Sequence, residues 1–314
     1  MTTLYLDRPD LELRKEPGAL VIYRDQQRIR SVPLGVLERV VVHGNVTLKT
    51  SVLAGLAERD IGLLVLGGRM AEHRAMLLGR PHGDVRIRMA QFQAHADTER
   101  RLALAKAFAT GKIAAQARLL ERAQTARPDR RRELSRGLNA ISAQQARVAD
   151  ALAIEALLGH EGAAASAYFP ALASVFPPAL GFKDRNRRPP RDPVNACLSL
   201  AYTLIHADAA RAAWAAGLDP LLGFLHEPAR GRESLASGIV EPLRPHVDEW
   251  VWRLMRERTL RDDHFAQIEG ACLLSKTGRA RFYPAWESNA KGLRRLLRFS
   301  VRTLVRTLVE AQTR

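Results

Sequence analysis

The chain has 314 residues, 46% of them hydrophobic, and a formal net charge of +16. This length and apolar content exclude an intrinsically disordered chain and allow a large core, usually split into two domains. Only seven of the 49 basic residues are lysines, so guanidinium groups, which bind phosphate bidentately, carry most of the positive charge. An arginine-rich genome would raise arginine everywhere, but these arginines cluster in a few segments, which favours a nucleic-acid partner.

The two cysteines, Cys197 and Cys272, lie far apart in the sequence and do not form a metal-spaced pair. They imply neither a disulfide framework nor a zinc site, and they favour a reducing compartment. The N-terminus lacks the basic region and apolar core of a signal peptide, and no uncharged apolar run reaches membrane-spanning length. We therefore expect a cytoplasmic protein with no membrane partner.

The first part of the chain has the pattern of short β-strands separated by Pro, Gly and Asp turns. Asp25-Gln26-Gln27 lies where a hairpin turn is needed, and Thr50 is a candidate cap for a short helix that ends near Glu58. Strands are predicted at 4–6, 11–14, 19–23, 28–33, 39–42 and 61–66.

From Asp84 onward the apolar period becomes helical. A charged turn at 127–132 interrupts the pattern, and helical spacing then returns at Leu138 and continues to about Leu158. The first helical stripe consists of Val85, Met89, Phe92 and Ala96. The predicted fold class is α+β, with a small β-rich N-terminal domain at 1–82 and a larger all-α domain at 83–314.

Three acidic or imidazole side chains in the helical part are candidate site residues. Glu161 lies two residues after Gly159, near a predicted helix start, where its carboxylate either interacts favourably with the helix dipole or belongs to a site. His226 follows two apolar residues and is either a structural histidine or a ligand. Glu241 lies on a predicted helix from Ser234 and is either a solvated carboxylate or a ligand, while Pro242 and Pro245 should kink or restart that helix.

Two arginine clusters are candidate phosphate sites. The first lies in a proline-stiffened loop before a helix that should begin with Asp192 as N-cap and Pro193 as first residue, and a solvated loop is the alternative. The second recurs every four residues on a C-terminal helix, which is either an ordinary helix with a charged outer side, a phosphate track or, less favoured, a membrane-surface helix. The clusters are Arg185, Arg187, Arg188 and Arg191, and then Arg294, Arg298, Arg302 and Arg306.

Four motifs in fixed order resemble the CRISPR-associated endonuclease and spacer integrase family of the adaptation machinery. The resemblance covers nearly the whole chain, and the order and spacing of the motifs are more specific than any one of them. The motifs are Glu161-Gly162-Ala163-Ala164 with Tyr168-Phe169, Arg187-Arg188-Pro189-Pro190 with Asp192-Pro193-Val194-Asn195, Gly217-Leu218-Asp219-Pro220 with Gly223-Phe224-Leu225-His226-Glu227, and Ser234-Leu235-Ala236 with Glu241 and Arg244-Pro245.

The resemblance implies a β-rich domain, a larger helical domain and a metal site that places Glu161, His226 and Glu241 around Mg²⁺ or Mn²⁺. It also implies insertion of foreign DNA fragments into a CRISPR array by strand transfer, with double-stranded fragment and repeat DNA as partners. A homodimer that flanks a small endoribonuclease-like protein is a further implication. Gly238 stands where this family usually carries another acidic residue.

That departure at Gly238 keeps a second class of function open, a non-catalytic DNA-binding structural subunit. A branched-DNA nuclease without an integration role would use the same site as the integrase. Joining of donor to target DNA separates the three possibilities.

Overall fold

The computed structural model describes residues 2–67, 72–80, 82–186 and 189–311, with the backbone alone at 72–74. Within these residues, eight strands and one short helix form the N-terminal part. They are β1 (Thr2–Leu6), β2 (Leu11–Glu16), β3 (Ala19–Arg24), β4 (Gln27–Pro33), β5 (Leu37–His43), β6 (Thr47–Leu48), α1 (Thr50–Ala57), β7 (Gly62–Gly67) and β8 (Glu72–Leu77). The six predicted strands are confirmed, with ends that differ by one or two residues.

The strands form two four-stranded sheets, ordered β1-β5-β7-β8 and β4-β3-β2-β6. In the first sheet β1, β5 and β7 are parallel and β8 is antiparallel. Because side chains alternate along a strand, β5 sends Val40 and Val42 into the core of the N-terminal part and Val41 into the helical core. One sheet therefore serves two cores and joins the two parts of the molecule.

The predicted hairpin turn is confirmed, and the predicted helix cap is wrong. Asp25 and Gln26 both have positive φ, at 49° and 63°, as a two-residue turn with the right-handed strand twist requires. The helix near Thr50 forms, but its N-cap is Lys49 and no side chain caps it. A helix of this length is stabilised instead by burying Val52 and Leu56.

Helices make up most of the remaining described residues. Long helices bury apolar faces against one another, and α6 is buried on almost all sides. They are α2 (Val85–Ala96), α3 (Thr98–Ala126), α4 (Arg131–Asp150), α5 (Ile154–Ala173), α6 (Pro193–Ala215), α7 (Ser234–Val240), α8 (Arg244–Arg256) and α9 (Lys276–Glu310). This confirms the α+β class, with a β-rich part followed by a helical part.

Three details of the helical part differ from the prediction. The helix predicted to continue to Leu158 is broken at 151–153, between α4 and α5. The stripe of α2 is helical, but Val85, Met89 and Phe92 are exposed, and the helix buries Ile87, Ala90 and Ala94 instead. A short hairpin, β9 (Phe265–Ile268) with β10 (Ala271–Leu274), also interrupts the all-helical region. The limits of the two domains stay a prediction.

None of the helices in the described residues combines the length and the apolar character that crossing a membrane requires.

Candidate functional site

Glu161 lies in the middle of a helix and not at its start. It is the eighth residue of α5, so its carboxylate is beyond the first turn, where the helix dipole acts. The dipole explanation is therefore wrong. Leu157, Ala164 and Tyr168 on the same helix are fully buried, and the side chain of Glu161 is only 14% exposed. The helix thus holds this carboxylate against the interior of the protein.

Glu241 occupies a tight turn between two helices. The chain passes from α7 through a 3₁₀ turn at Glu241–Leu243 into α8, which confirms the predicted restart at the prolines. Pro242 lies in the 3₁₀ turn and Pro245 in the first turn of α8, where a missing N–H does no harm. Glu241 is 5% exposed, so the alternative of a solvated carboxylate is wrong.

Lys112 of α3 brings the two carboxylates together. Its ammonium makes a short ion pair with Glu161 Oε1 and lies 2.5 Å from Glu241 Oε2. Three elements that are distant in sequence, α3, α5 and the turn before α8, therefore meet at one cation. The side chain of Lys112 is only 11% exposed, so the water that would screen these charges is largely excluded.

His226 completes the cluster from the segment between α6 and α7. Its Nε2 lies 3.9 Å from Glu241 Oε1, and Phe224 and Leu225 before it are buried. Gly223 permits the segment to approach α7 closely, because a Cβ there would lie 2.6 Å from the carbonyl carbon of Ser234. The imidazole is thus fixed by the packing of its neighbours.

The next carboxylate, Glu227, turns away from the cluster. Its side chain is 64% exposed and makes a short ion pair with Arg101 of α3. Of these two adjacent residues, His226, with 13% of its side chain exposed, therefore faces the cluster and Glu227 faces solvent.

Arg244 of α8 supplies a second cation to Glu241. Its Nε lies 3.0 Å from Glu241 Oε1, and its guanidinium stacks over the ring of Tyr202, 4.5 Å from the ring centroid. Burial opposes ionisation of Glu241. The charges of Arg244 and Lys112 outweigh that burial and hold the pKa of Glu241 well below its usual range. Glu241 is therefore a carboxylate at neutral pH.

The donor atoms of this cluster suit a hard divalent cation. Glu241 Oε2 is buried, and the Lys112 ammonium lies 2.5 Å from it. Two carboxylates and one imidazole form a set that Mg²⁺ or Mn²⁺ accepts. As positioned, however, no group of three His, Cys, Asp or Glu side chains among the described residues is close enough to hold an ion. Lys112 separates the two glutamates.

A buried carboxylate near Arg244 holds the Tyr202 ring over which the guanidinium of that arginine stacks. Asp248 of α8 is 1% exposed and accepts hydrogen bonds from Tyr168, at 2.7 Å, and from Tyr202, through a short contact. Burial raises the pKa of Asp248 to about 6, although the two tyrosine hydroxyls and the nearby arginines lower it. This network holds the Tyr202 ring under the guanidinium of Arg244.

Lys112 and Asp248 were not predicted from the sequence. Lys112 stands beside Ile113 on the buried side of α3, where a charged residue is unusual, and Asp248 stands in a run of buried residues on α8. A lone charge on a buried helix face was the available signal in both cases. Glu161 lies 49 residues after Lys112, and Tyr168 lies 80 residues before Asp248. No local sequence pattern indicates contacts over such separations.

The basic loop leads into α6 as predicted. Asp192 caps the helix by accepting from the backbone N–H of Asn195 at 2.8 Å, and Pro193 is its first residue. Arg185 donates to the side chains of Asn195 and Ser199 and lies over the same Tyr202 ring as Arg244. Arg191 is exposed. The other two arginines of the predicted clamp, Arg187 and Arg188, lie outside the described residues.

The arginines of the C-terminal stripe differ in environment along α9. Arg294 is 6% exposed and pairs with Asp208 at 2.8 Å and with both oxygens of Glu287, so its charge is used inside the protein. Arg298 and Arg302 are exposed, and Arg298 lies 3.9 Å from Glu38. Contact of Arg294, Arg298 and Arg302 with DNA stays a prediction, and the exposed Arg298 and Arg302 are better placed for it than Arg294.

Comparison with known proteins gives a family match over most of the chain. Residues 4–288 match the family model described as CRISPR associated protein Cas1. A relative from Thermodesulfovibrio yellowstonii, named CRISPR-associated endonuclease Cas1 1, is 35% identical over 313 residues, which cover 99% of this chain and 98% of the relative.

Solved structures share the whole fold at lower identity. A casposase bound to integration product superimposes with a TM-score of 0.88 and 21% identity, over 99% of this chain and 91% of the casposase chain. A Cas1 protein from Thermotoga maritima superimposes with a TM-score of 0.86 and 20% identity, over 98% and 97% of the two chains.

Proposed function

Because the chain belongs to the CRISPR-associated Cas1 family, we propose that it is a metal-dependent DNA endonuclease and integrase that inserts foreign DNA fragments into a CRISPR array. The observation that carries the proposal is the convergence of Glu161 and Glu241 on one cation, with His226 beside them. Buried carboxylates that meet at a single positive centre are the arrangement that a divalent-cation site requires.

Glu161, Glu241 and His226 would hold Mg²⁺ or Mn²⁺. A bound ion there would polarise the phosphodiester and favour the deprotonated form of a hydroxyl nucleophile. Arg244 keeps Glu241 ionised and oriented, and Asp248 positions Arg244 through the Tyr202 ring. These residues support the site without touching the reacting atoms.

The reaction supported by this site is in-line displacement at phosphorus. A free DNA 3′-hydroxyl forms a new bond to the phosphorus of the target strand, and the bond from that phosphorus to the target's own 3′-oxygen breaks. The nucleophile's proton passes to solvent, and the leaving 3′-oxygen takes up one proton from solvent, so that a free 3′-hydroxyl is released. Water in place of the 3′-hydroxyl gives hydrolysis, so nuclease activity would share the site. Exposed Arg191 and the arginines before it would hold backbone phosphates, which fixes register without reading sequence.

The proposed partners follow from the family and the charge. Double-stranded fragment and repeat DNA would be bound by the basic surface of this +16 chain. A homodimer, and assembly with a small endoribonuclease-like protein of the adaptation complex, complete the proposal.

Gly238 motivates the alternative of a non-catalytic DNA-binding subunit. It is buried in α7, three residues before Glu241. A Cβ at this position would lie 3.5 Å from the ring of Phe108, an ordinary van der Waals contact, so the first atom of a side chain fits. Steric exclusion of a Cβ atom therefore does not explain why position 238 is a glycine and not an acidic residue.

Strand joining by the pure protein tests the proposal. We expect wild type, with its small partner, to join a labelled duplex to a supercoiled target in Mg²⁺ or Mn²⁺. Glu161→Ala or His226→Ala should reduce the joined product by at least about 100-fold, because several kcal/mol of transition-state stabilisation are lost. DNA affinity should change less than about twofold, since most of it comes from phosphate contacts elsewhere.

Glu227→Ala is the matched control, since it removes the exposed carboxylate next to His226 and should leave joining intact. Loss of DNA binding in step with loss of joining would indicate a structural role for the cluster. DNA binding by wild type without cutting or joining in either metal would support the non-catalytic subunit. Cutting of branched DNA without joining would support the nuclease.

A further inference from the structure

We infer that Lys112 is an exchangeable counter-ion of the metal site, whose ammonium neutralises Glu161 and Glu241 and must leave them when they take a divalent cation. The inference rests on the proposed function, and it assigns a role in that site to a residue on α3, an element that supplies none of the three proposed ligands. Lys112 is a positioning residue in this account, since it acts through the two carboxylates.

The contacts of Lys112 carry the inference. In the described part of the chain, its ion pairs are with Glu161 and Glu241 alone. The ammonium therefore lies between the same oxygen atoms that a metal would need. A metal ion that is coordinated by both carboxylates cannot share the space between them with the Lys112 ammonium. The two positive charges would repel each other strongly at contact distance in a site from which water is largely excluded.

Charge balance supports an exchange and not a permanent pair. The carboxylates of Glu161 and Glu241 contribute −2, and Lys112 with Arg244 contribute +2, so the formal charges of these four side chains sum to zero. A divalent ion added to this set would leave +2 in a site that is nearly closed to water. Release of the ammonium toward solvent removes one of those charges and lowers the cost of binding.

The choice of lysine fits this role in a chain that otherwise prefers arginine. Buried pairs elsewhere use arginine forks that grip both carboxylate oxygens, as Arg294 does with Glu287. Lysine offers a compact charge on a flexible four-carbon stem and has no fixed fork, so a small ion can replace it more easily. One of only seven lysines stands at the one place in this cluster where the cation must be able to leave.

Binding of Mn²⁺ to the full chain without DNA tests the inference. Isothermal titration should show that Lys112→Met, which removes the competing charge, binds Mn²⁺ about tenfold more tightly than wild type. Lys112→Arg should bind about tenfold more weakly, because a bidentate fork holds the carboxylates. Lys106→Met is the matched control on α3, where the ammonium donates to the carbonyl of Ala149 and not to a carboxylate, and its affinity should equal that of wild type.

Thermal melting gives a second readout that does not depend on activity. In EDTA, Lys112→Met should melt below wild type, because two carboxylates lose a buried partner. Saturating Mn²⁺ should raise the melting temperature of Lys112→Met by more than it raises that of wild type. If Lys112→Met does not fold, the weaker binding predicted for Lys112→Arg still decides the matter.

Two outcomes overturn the inference, and a further variant separates it from the proposed function. Equal Mn²⁺ affinity in wild type, Lys112→Met and Lys112→Arg, or weaker binding by Lys112→Met, would show that the ammonium does not compete with the metal.

Glu161→Gln should lose Mn²⁺ binding. If Glu161→Gln binds like wild type, the metal site itself is wrong and both proposals fail. If it loses binding while the Lys112 variants do not differ from wild type, the counter-ion role alone fails.

Discussion

At the scale of single residues, the pKa values of two buried carboxylic acids, Glu241 and Asp248, are shifted in opposite directions because their neighbours differ. Glu241 faces Lys112 and Arg244, and its pKa is held well below the usual range despite burial. Asp248 lies two turns away and faces mainly tyrosine hydroxyls, so burial prevails and raises its pKa to about 6. Glu241 is thus kept charged, while Asp248 serves as a hydrogen-bond acceptor.

Asp248 should make the protein less stable as pH rises from about 4 to about 6. Its pKa in the folded state, about 6, lies above the unfolded value near 3.9, so the folded state binds more protons in this window. The free energy of unfolding should fall by up to about 1.4 kcal/mol per pH unit from this group. Urea unfolding of Asp248→Asn across pH 4–7 should show a flatter profile than wild type.

Asp263→Asn is the control for this profile, because that carboxylate is 78% exposed. It should leave the wild-type slope unchanged. A wild-type slope retained in Asp248→Asn would show that other groups cause the pH dependence.

At the scale of elements, the packing of α3, α4 and α5 sets the distance between Lys112 and Glu161. Gly137 of α4 lies where the three helices meet, since a Cβ there would be 2.5 Å from Ala171 Cβ on α5 and 3.2 Å from Leu120 Cδ1 on α3. The close approach of the helices therefore depends on the absence of one side chain. Site geometry is in this sense a property of helix packing.

Gly137→Ala should destabilise the protein, by about 1–3 kcal/mol, because α4 and α5 must separate to admit the methyl group. Gly159→Ala is the matched change on α5, where the glycine is exposed and nothing lies within 4 Å of the added Cβ. It should stabilise by up to about 1 kcal/mol through helix propensity. Urea denaturation measures both, and equal effects of the two substitutions would contradict the packing argument.

The sequence predicted these elements better than it predicted their faces and partners. Asp192 as N-cap, the turn at Asp25-Gln26 and the restart at Pro242 follow from local rules and are confirmed. The buried face of α2 was missed because its exposed residues are as apolar as its buried ones. The cluster around Lys112 depends on contacts across 49 or more residues, so the three proposed ligands came from resemblance and not from spacing.

At the scale of the whole molecule, positive charge is spread over both parts of the chain, and its total is +16. Such a charge accounts for salt-sensitive binding to any nucleic acid and does not identify a surface. The exposed arginines of α9 and those of β4 lie on different parts of the fold, and both sets are open to solvent. Removing the same number of arginines from α9 and from β4, and comparing the effects on DNA binding, can therefore show which of the two surfaces contacts DNA.

Arg298→Ala with Arg302→Ala should weaken DNA binding and reduce the slope of log affinity against log salt by about two, one for each lost phosphate contact. Arg28→Ala with Arg30→Ala removes the same charge from β4 and should leave the slope nearly unchanged. Fluorescence anisotropy with a labelled duplex between 50 and 300 mM salt measures both. Equal slopes for the two double variants would show that α9 is not a phosphate track.

Anomalous diffraction from crystals soaked in Mn²⁺ tests the central claim most directly. The account predicts one manganese peak with oxygen atoms of Glu161 and Glu241 and a nitrogen of His226 within about 2–2.6 Å. The Lys112 ammonium should have moved away from both carboxylates. A manganese peak elsewhere in the protein, with Lys112 still between the two glutamates at saturating Mn²⁺, would contradict the account.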